Sequence, residues 1–106
     1  MSLRTDKINN LIRELAANFM EKEASNVSLL TVTGCEVTPD LKKATVYFTV
    51  LPESKEKSAL DFAKRMRGDF RDYLKKNLEM RVIPFIDFQI DAGEKNRQRI
   101  EELLRQ

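Results

Sequence analysis

Lys64, Gly68, Arg71 and Lys75 recur at i, i+4, i+7 and i+11, with Arg65, Arg67 and Lys76 beside them. At helical spacing the first four share one face, and a row of cations suits a polyanion. Each contact of Lys or Arg with a phosphate releases counterions, and such contacts position a protein on a nucleic acid. Gly68 interrupts this row in a chain that has only three glycines. A glycine inside a helix costs roughly 1 kcal/mol relative to alanine. On the basic face it leaves bare backbone that a sugar-phosphate chain can approach closely, and it lets the helix kink. The plainer reading is that basic helical stripes are usually solvated faces, and Asp69 and Asp72 dilute this one. Tyr73 is the one aromatic candidate beside the stripe, so base stacking has little support.

Other chemistries have weaker footing. The chain has no histidine, which removes the usual general base and the commonest zinc ligand. Serine–histidine–acid triads and cysteine–histidine pairs are thereby excluded. Cys35, the single cysteine, lies in an apolar strand and reads as a small core residue rather than a nucleophile. Gly34, Gly68 and Gly93 are too far apart for a phosphate loop. Asp87 and Asp91 flank Gln89 on one side of a strand, where two carboxylates could bind a hard cation or share acid–base work. The plainer reading is a solvated polar face, because a lone i, i+4 pair on a strand has little specificity. The expectation is a protein that is not an enzyme, with no catalytic residue, no metal ligand and no cofactor.

The elements that must position these residues follow from periodicity. Ile8, Leu11, Ile12, Leu15, Ala16 and Phe19 mark an amphipathic helix capped by Ser2 or Thr5 and running to about Glu23. "VSLLTVTGCEV" reads as a strand with a bulge around Gly34. Thr38-Pro39-Asp40 is a turn, and "KKATVYFTVL" alternates with Ala44, Val46, Phe48 and Val50 on one face, so the two strands form an antiparallel hairpin. Ala59, Phe62, Ala63, Met66, Phe70, Tyr73, Leu74 and Leu78 keep one helical phase through Gly68. Pro84 introduces a third strand, with Ile86, Phe88 and Ile90 alternating against Phe85, Asp87, Gln89 and Asp91. A last helix, roughly 94–104, offers Ile100, Leu103 and Leu104. The order is α-β-β-α-β-α, an α+β fold in which helices pack on one face of a three-stranded sheet and water meets the other.

At 106 residues one domain, 1–106, is expected. The longest apolar runs are too short for a transmembrane helix, and no signal peptide is evident. A lone cysteine fits a reducing, cytoplasmic setting. Net charge is +2, but residues 55–81 hold nine Lys/Arg against five Asp/Glu, a local balance of +4. An anionic partner for that element is the natural expectation.

Three stretches together resemble the ribosome-binding factor A family: "LTVTGCEVTPDLKKATVYFTVL" (30–51), "GDFRDYLKKNLEMRVIPFIDFQID" (68–91) and "RIEELL" (99–104). The likeness is carried by Thr33, Val37, Asp40, Leu41 and Ala44, then Gly68, Arg71, Leu74, Leu78, Arg81, Pro84, Phe88 and Asp91, then Arg99 and Ile100. The resemblance implies a KH-like domain of type II topology, in which the GxxG loop of ordinary KH domains is replaced by a helix kinked at an Ala-x-Gly. The matching residues are Met66, Arg67 and Gly68, so the glycine is kept and the alanine is not. Lys7-Ile8 stands where the family often has Arg-Val, and Pro84-Phe85-Ile86 where it usually has Pro-Glu-Leu. Many relatives carry a charged C-terminal extension, and with the sequence ending at Gln106 no role for such a tail is expected. The resemblance further implies a bacterial factor that binds the immature 30S subunit, contacts its 16S rRNA, assists late maturation without catalysis and supports growth in the cold. Carried over residue by residue, the RNA-contacting candidates are Lys64, Arg65, Arg67, Gly68, Arg71, Lys75, Lys76 and Arg81. Neither a membrane nor a small-molecule substrate is implied, and a monomer is expected. The alternative is a protein-interaction module using the open sheet face or an edge strand.

Overall fold

The computed structural model describes residues 3–23 and 29–105. Helix α1, Leu3–Glu23, buries Ile8, Ile12, Ala16, Phe19 and Met20. Leu11, on the border of the expected stripe, is exposed, so the buried face is narrower than periodicity implied. Thr5 lies within the helix, and Ser2, the other candidate cap, lies outside the described residues.

Strands β1, Leu29–Val37, and β2, Lys43–Leu51, pair antiparallel from Leu29↔Leu51 to Val37↔Ala44. The register shifts between Val32 and Gly34, which leaves Thr33 as the extra residue of the expected bulge. The tight turn between them is held by side chains. Thr38 Oγ1 donates to Asp40 Oδ1 at 2.6 Å, and the same oxygen accepts from the Lys42 N–H at 3.0 Å. Both contacts favour the ionised Asp40 and hold its carboxyl below the usual range.

After Pro52, a turn of 3-10 helix at Glu53–Lys55 leads into α2, Glu56–Arg65, and then α3, Arg67–Asn77. Strand β3, Phe85–Ile90, returns parallel to β2, so the sheet order is β1-β2-β3. A parallel return requires a crossover, and α2 with α3 supplies it. Ala59 and Ala63 of α2 and Phe70 and Leu74 of α3 are buried with α1 against Val46, Phe48, Ile86 and Phe88 of the sheet. Phe70 is the hub. Its ring centroid lies 5.3 Å from that of Phe19 and 5.7 Å from that of Phe88.

The helical phase runs unbroken across α2 and α3, as expected, but the bend is not at Gly68. It falls two residues earlier, at Met66, whose backbone (φ −86°, ψ 2°) belongs to neither helix. The Met66 N–H is shared between the carbonyls of Phe62 at 3.0 Å and Ala63 at 3.1 Å, a bifurcated closure common at helix ends. Gly68 therefore lies in the first turn of α3, with negative φ. Its backbone freedom is not what makes the bend.

Glu36, Thr45 and Asp87 stand in register across the opposite face, beside Tyr47 and its partner Gln89. That face is polar and carries acid. Helix α4, Ala92–Arg105, follows β3, and its Ile100, Leu103 and Leu104 are exposed rather than added to the packed layer. Among the described residues no helix is long and apolar enough to cross a membrane.

Candidate nucleic-acid interface

The break at Met66 sets the geometry of the basic row. Lys64 and Arg65 end α2, Arg67 and Gly68 begin α3, Arg71 lies at its middle, and Lys75 and Lys76 close it. All of these except Arg67 are exposed. Cations in a helix's last turn are stabilised by the negative end of its dipole, which accounts for Lys64, Arg65, Lys75 and Lys76 without any ligand. Arg67 also has internal partners. Its Nε donates to the Lys64 carbonyl at 3.2 Å, and its Nη1 lies 3.8 Å from Asp87 Oδ1. Its guanidinium stands 5.6 Å from the centroid of the Phe85 ring. Arg71 has no such account: it lies mid-helix, and no ion-pair partner for it is found among the described residues.

Gly68 is exposed, and a Cβ built on it would meet nothing within 4 Å. The chain's own packing therefore does not demand glycine there. Beside it runs a groove of about 410 Å³ lined by Lys42, Arg67, Gly68, Arg71, Ile83 and Phe85, with Ile86 at its base. Lys42, Ile83, Phe85 and Ile86 were not among the site residues expected from the sequence. Lys42 comes from the hairpin turn, remote in sequence from α3, and no local pattern signals its arrival. Phe85 was legible in part, since it alternates with Asp87 and Gln89 on the polar side of β3. Tyr73, the aromatic expected beside the stripe, is instead half-buried, with its ring 5.4 Å from Phe19. Arg81 lines a second cleft, with Leu11, Leu78 and Val82 among its apolar residues, which shares Lys42 with the groove.

The carboxylates and the thiol are occupied otherwise. Asp87 faces Arg67 and accepts from the Phe88 N–H at 2.9 Å. Asp91 accepts from Thr33 Oγ1 at 2.5 Å and from the Glu94 N–H at 3.0 Å. No cluster of three acidic, cysteine or histidine side chains fit for a metal forms among the described residues. Cys35 is buried, and desolvation, with the Glu36 charge adding to it, pushes its thiol up to about 12.

The family model of ribosome-binding factor A matches residues 4–104. The chain belongs to this family. Ribosome-binding factor A of Geotalea daltonii is 33% identical over 109 residues, covering 100% of this chain and 89% of that one. A Thermotoga maritima protein solved in solution and described as a ribosome-binding factor A superposes with a TM-score of 0.74 at 26% identity, over 88% of this chain and 92% of that one. A homology model of Thermus thermophilus ribosome-binding factor A, fitted into an electron cryo-microscopy map of a 30S complex with that factor, shares the fold with a TM-score of 0.64 at 20% identity. The match covers 88% of this chain and 97% of that one. In this chain the break between α2 and α3 falls on Met66, the first residue of Met66-Arg67-Gly68.

Proposed function

We propose that this protein docks on the immature 30S subunit and assists its late maturation in the cytoplasm. The docking surface is the α2–α3 face, set against 16S rRNA, and the protein acts as one monomeric domain without catalysis. The observation that carries the reading is the open backbone at Gly68, flanked by Arg67 and Arg71 and facing Lys42 across the groove. Neither φ nor packing asks for a glycine at that position, whereas close approach of a sugar-phosphate chain does. Lys64, Arg65, Lys75 and Lys76 extend the cationic surface along both helices. Arg81 adds charge in the cleft that shares Lys42 with the groove. The Thermus relative fitted into a 30S complex supports the choice of partner by analogy of fold.

The test is co-sedimentation with purified 30S particles across a salt series. Binding weakens steeply with salt, because each phosphate contact releases counterions. Arg71→Glu with Lys75→Glu lowers binding and flattens that slope while the melting temperature falls only slightly, since both residues face water and the fold loses only the Lys75 charge at the C-terminal end of α3. A double variant that pellets with the subunit as well as the parent would reduce the row to a solvated face. The competing protein-interaction reading calls for a complex indifferent to salt. The polar, acidic character of the open sheet face gives it less support.

A further inference from the structure

We propose that Phe85 is a stacking platform for one unpaired RNA base, held in the groove beside Gly68. The inference rests on the RNA-binding reading above and names the form of RNA this site takes: a single strand with an exposed base rather than a duplex.

Phe85 is 56% exposed although its neighbours Ile86 and Phe88 are buried. An aromatic ring at the first position of an edge strand, on the polar side of the sheet, adds nothing to the core. Arg67 braces the ring with its guanidinium 5.6 Å from the centroid, and Arg67 is itself held by the Lys64 carbonyl and Asp87. A cation at that distance explains one face of the ring and contributes on the order of 0.5–1 kcal/mol at an exposed site. It does not explain why so much of the ring is left in water.

The groove supplies the rest of a nucleotide site. Ile83 and Ile86 give it apolar wall, Lys42 and Arg71 give it cations, and Gly68 removes the side chain that would block the backbone. Its volume, about 410 Å³, lies in the range of small-ligand pockets. A base on the ring would put its phosphate within the field of Lys42 and Arg71, neither of which has an ion-pair partner among the described residues. Duplex RNA keeps its bases stacked on one another and offers no free π-face. A splayed base does, and aromatic stacking is how proteins commonly hold it.

The experiment uses the full chain with a fluorescein-labelled ten-nucleotide single-stranded RNA and a labelled duplex of the same sequence, read by anisotropy at several salt concentrations. Phe85→Leu binds the single strand about tenfold more weakly, with an unchanged salt slope because no charge is lost, and binds the duplex as the parent does. Phe85→Tyr restores single-strand binding. The platform is overturned if Phe85→Leu binds the single strand as tightly as the parent. It is equally overturned if that variant loses single strand and duplex alike, since the ring would then act by holding Arg67. Arg71→Glu separates the two levels: if it changes neither RNA, the RNA-binding reading itself fails. If it weakens both while Phe85→Leu weakens neither, only the platform falls.

Discussion

The hydroxyl of Thr33 donates to Asp91 Oδ2 at 2.5 Å, joining residues 58 apart in the chain. Thr33 is the bulged residue of β1, and Asp91 is the residue between β3 and α4. The bulge thus aims a side chain at the point where the backbone leaves the sheet. The other carboxylate oxygen takes the Glu94 N–H at 3.0 Å, the bond by which an aspartate caps a helix start. The setting of α4 depends on this joint and not on burial of Ile100, Leu103 or Leu104, which stay in solvent.

Asp91→Ala removes the cap and the tie to β1 together. Loss of a cap costs a helix about 0.5–2 kcal/mol. The expected result is reduced helical circular dichroism from α4 with little change in the main thermal transition, because none of the α4 side chains whose burial is described belongs to the core. Acid does the same to the parent. The Glu94 N–H and then the Thr33 hydroxyl hold the Asp91 carboxyl below its ordinary value of 3.8. The folded pKa is the lower one, so the stabilisation is present above 3.8 and is lost as pH falls through the folded value. The difference between parent and Asp91→Ala should therefore be full at pH 7 and vanish in strong acid. A difference that persists there would sink the account.

Phe70→Ala strikes the hub where α3 meets both α1 and β3. Its ring is fully buried against Phe19 and Phe88. Truncating a buried phenylalanine costs about 3–5 kcal/mol, a large share of the roughly 5–15 kcal/mol that holds a domain together. Urea unfolding should show a much lower midpoint with unchanged slope. A loss below about 1 kcal/mol would mean the site collapses around the gap or the packing is wrong.

Much of this architecture was readable from period alone. Ala44, Val46, Phe48 and Val50 alternate because one side of β2 is dry, and Phe70 and Leu74 keep phase because α3 lies on that side. Gly34 signalled the bulge, although the extra residue is its neighbour Thr33. Period alone did not place the helix break, whereas the family resemblance put a kink within Met66-Arg67-Gly68, and the break falls on Met66. Met66 is an acceptable helix former, and it leaves helical geometry because α2 and α3 must each lie against the sheet, a tertiary demand that overrides local preference. The row of cations was legible as a row, but its ranking was not. Which charges serve their own helix ends, and which, like Arg71, have no internal use, appears only when the break is placed. Lys42 enters the groove by the fold of the hairpin, and Phe85 is beside α3 because β3 is an edge strand.

Cys35 should be nearly inert in the folded protein. With its thiol pushed up to about 12, only roughly one molecule in ten thousand is thiolate at pH 8. A disulfide reagent such as dithiobis(nitrobenzoate) should label it slowly in native buffer and at once in denaturant. The same shift has a stability consequence. The folded pKa exceeds the unfolded value, so the contribution is complete below about 8.5 and declines as pH rises above it. Rapid native labelling would show that the strand around Cys35 opens far more readily than its burial implies.

Gly68→Ala separates what the fold needs from what the ligand needs. Gly68 has negative φ and open space where a Cβ would go, so alanine fits the folded chain without strain. Replacing a glycine at such a position stabilises by about 0.4–1 kcal/mol, chiefly by restricting the unfolded chain. In a domain of this size that raises Tm by a few degrees. Binding should move the other way. The new methyl stands where RNA backbone would approach, between Arg67 and Arg71, and a loss of about 1.4 kcal/mol in that contact is a tenfold weaker complex. No charge changes, so the salt slope of 30S binding should match the parent while its absolute strength falls. A variant that melts higher and binds equally well would mean that nothing comes close to that backbone, and the basic row would need another reason for its gap.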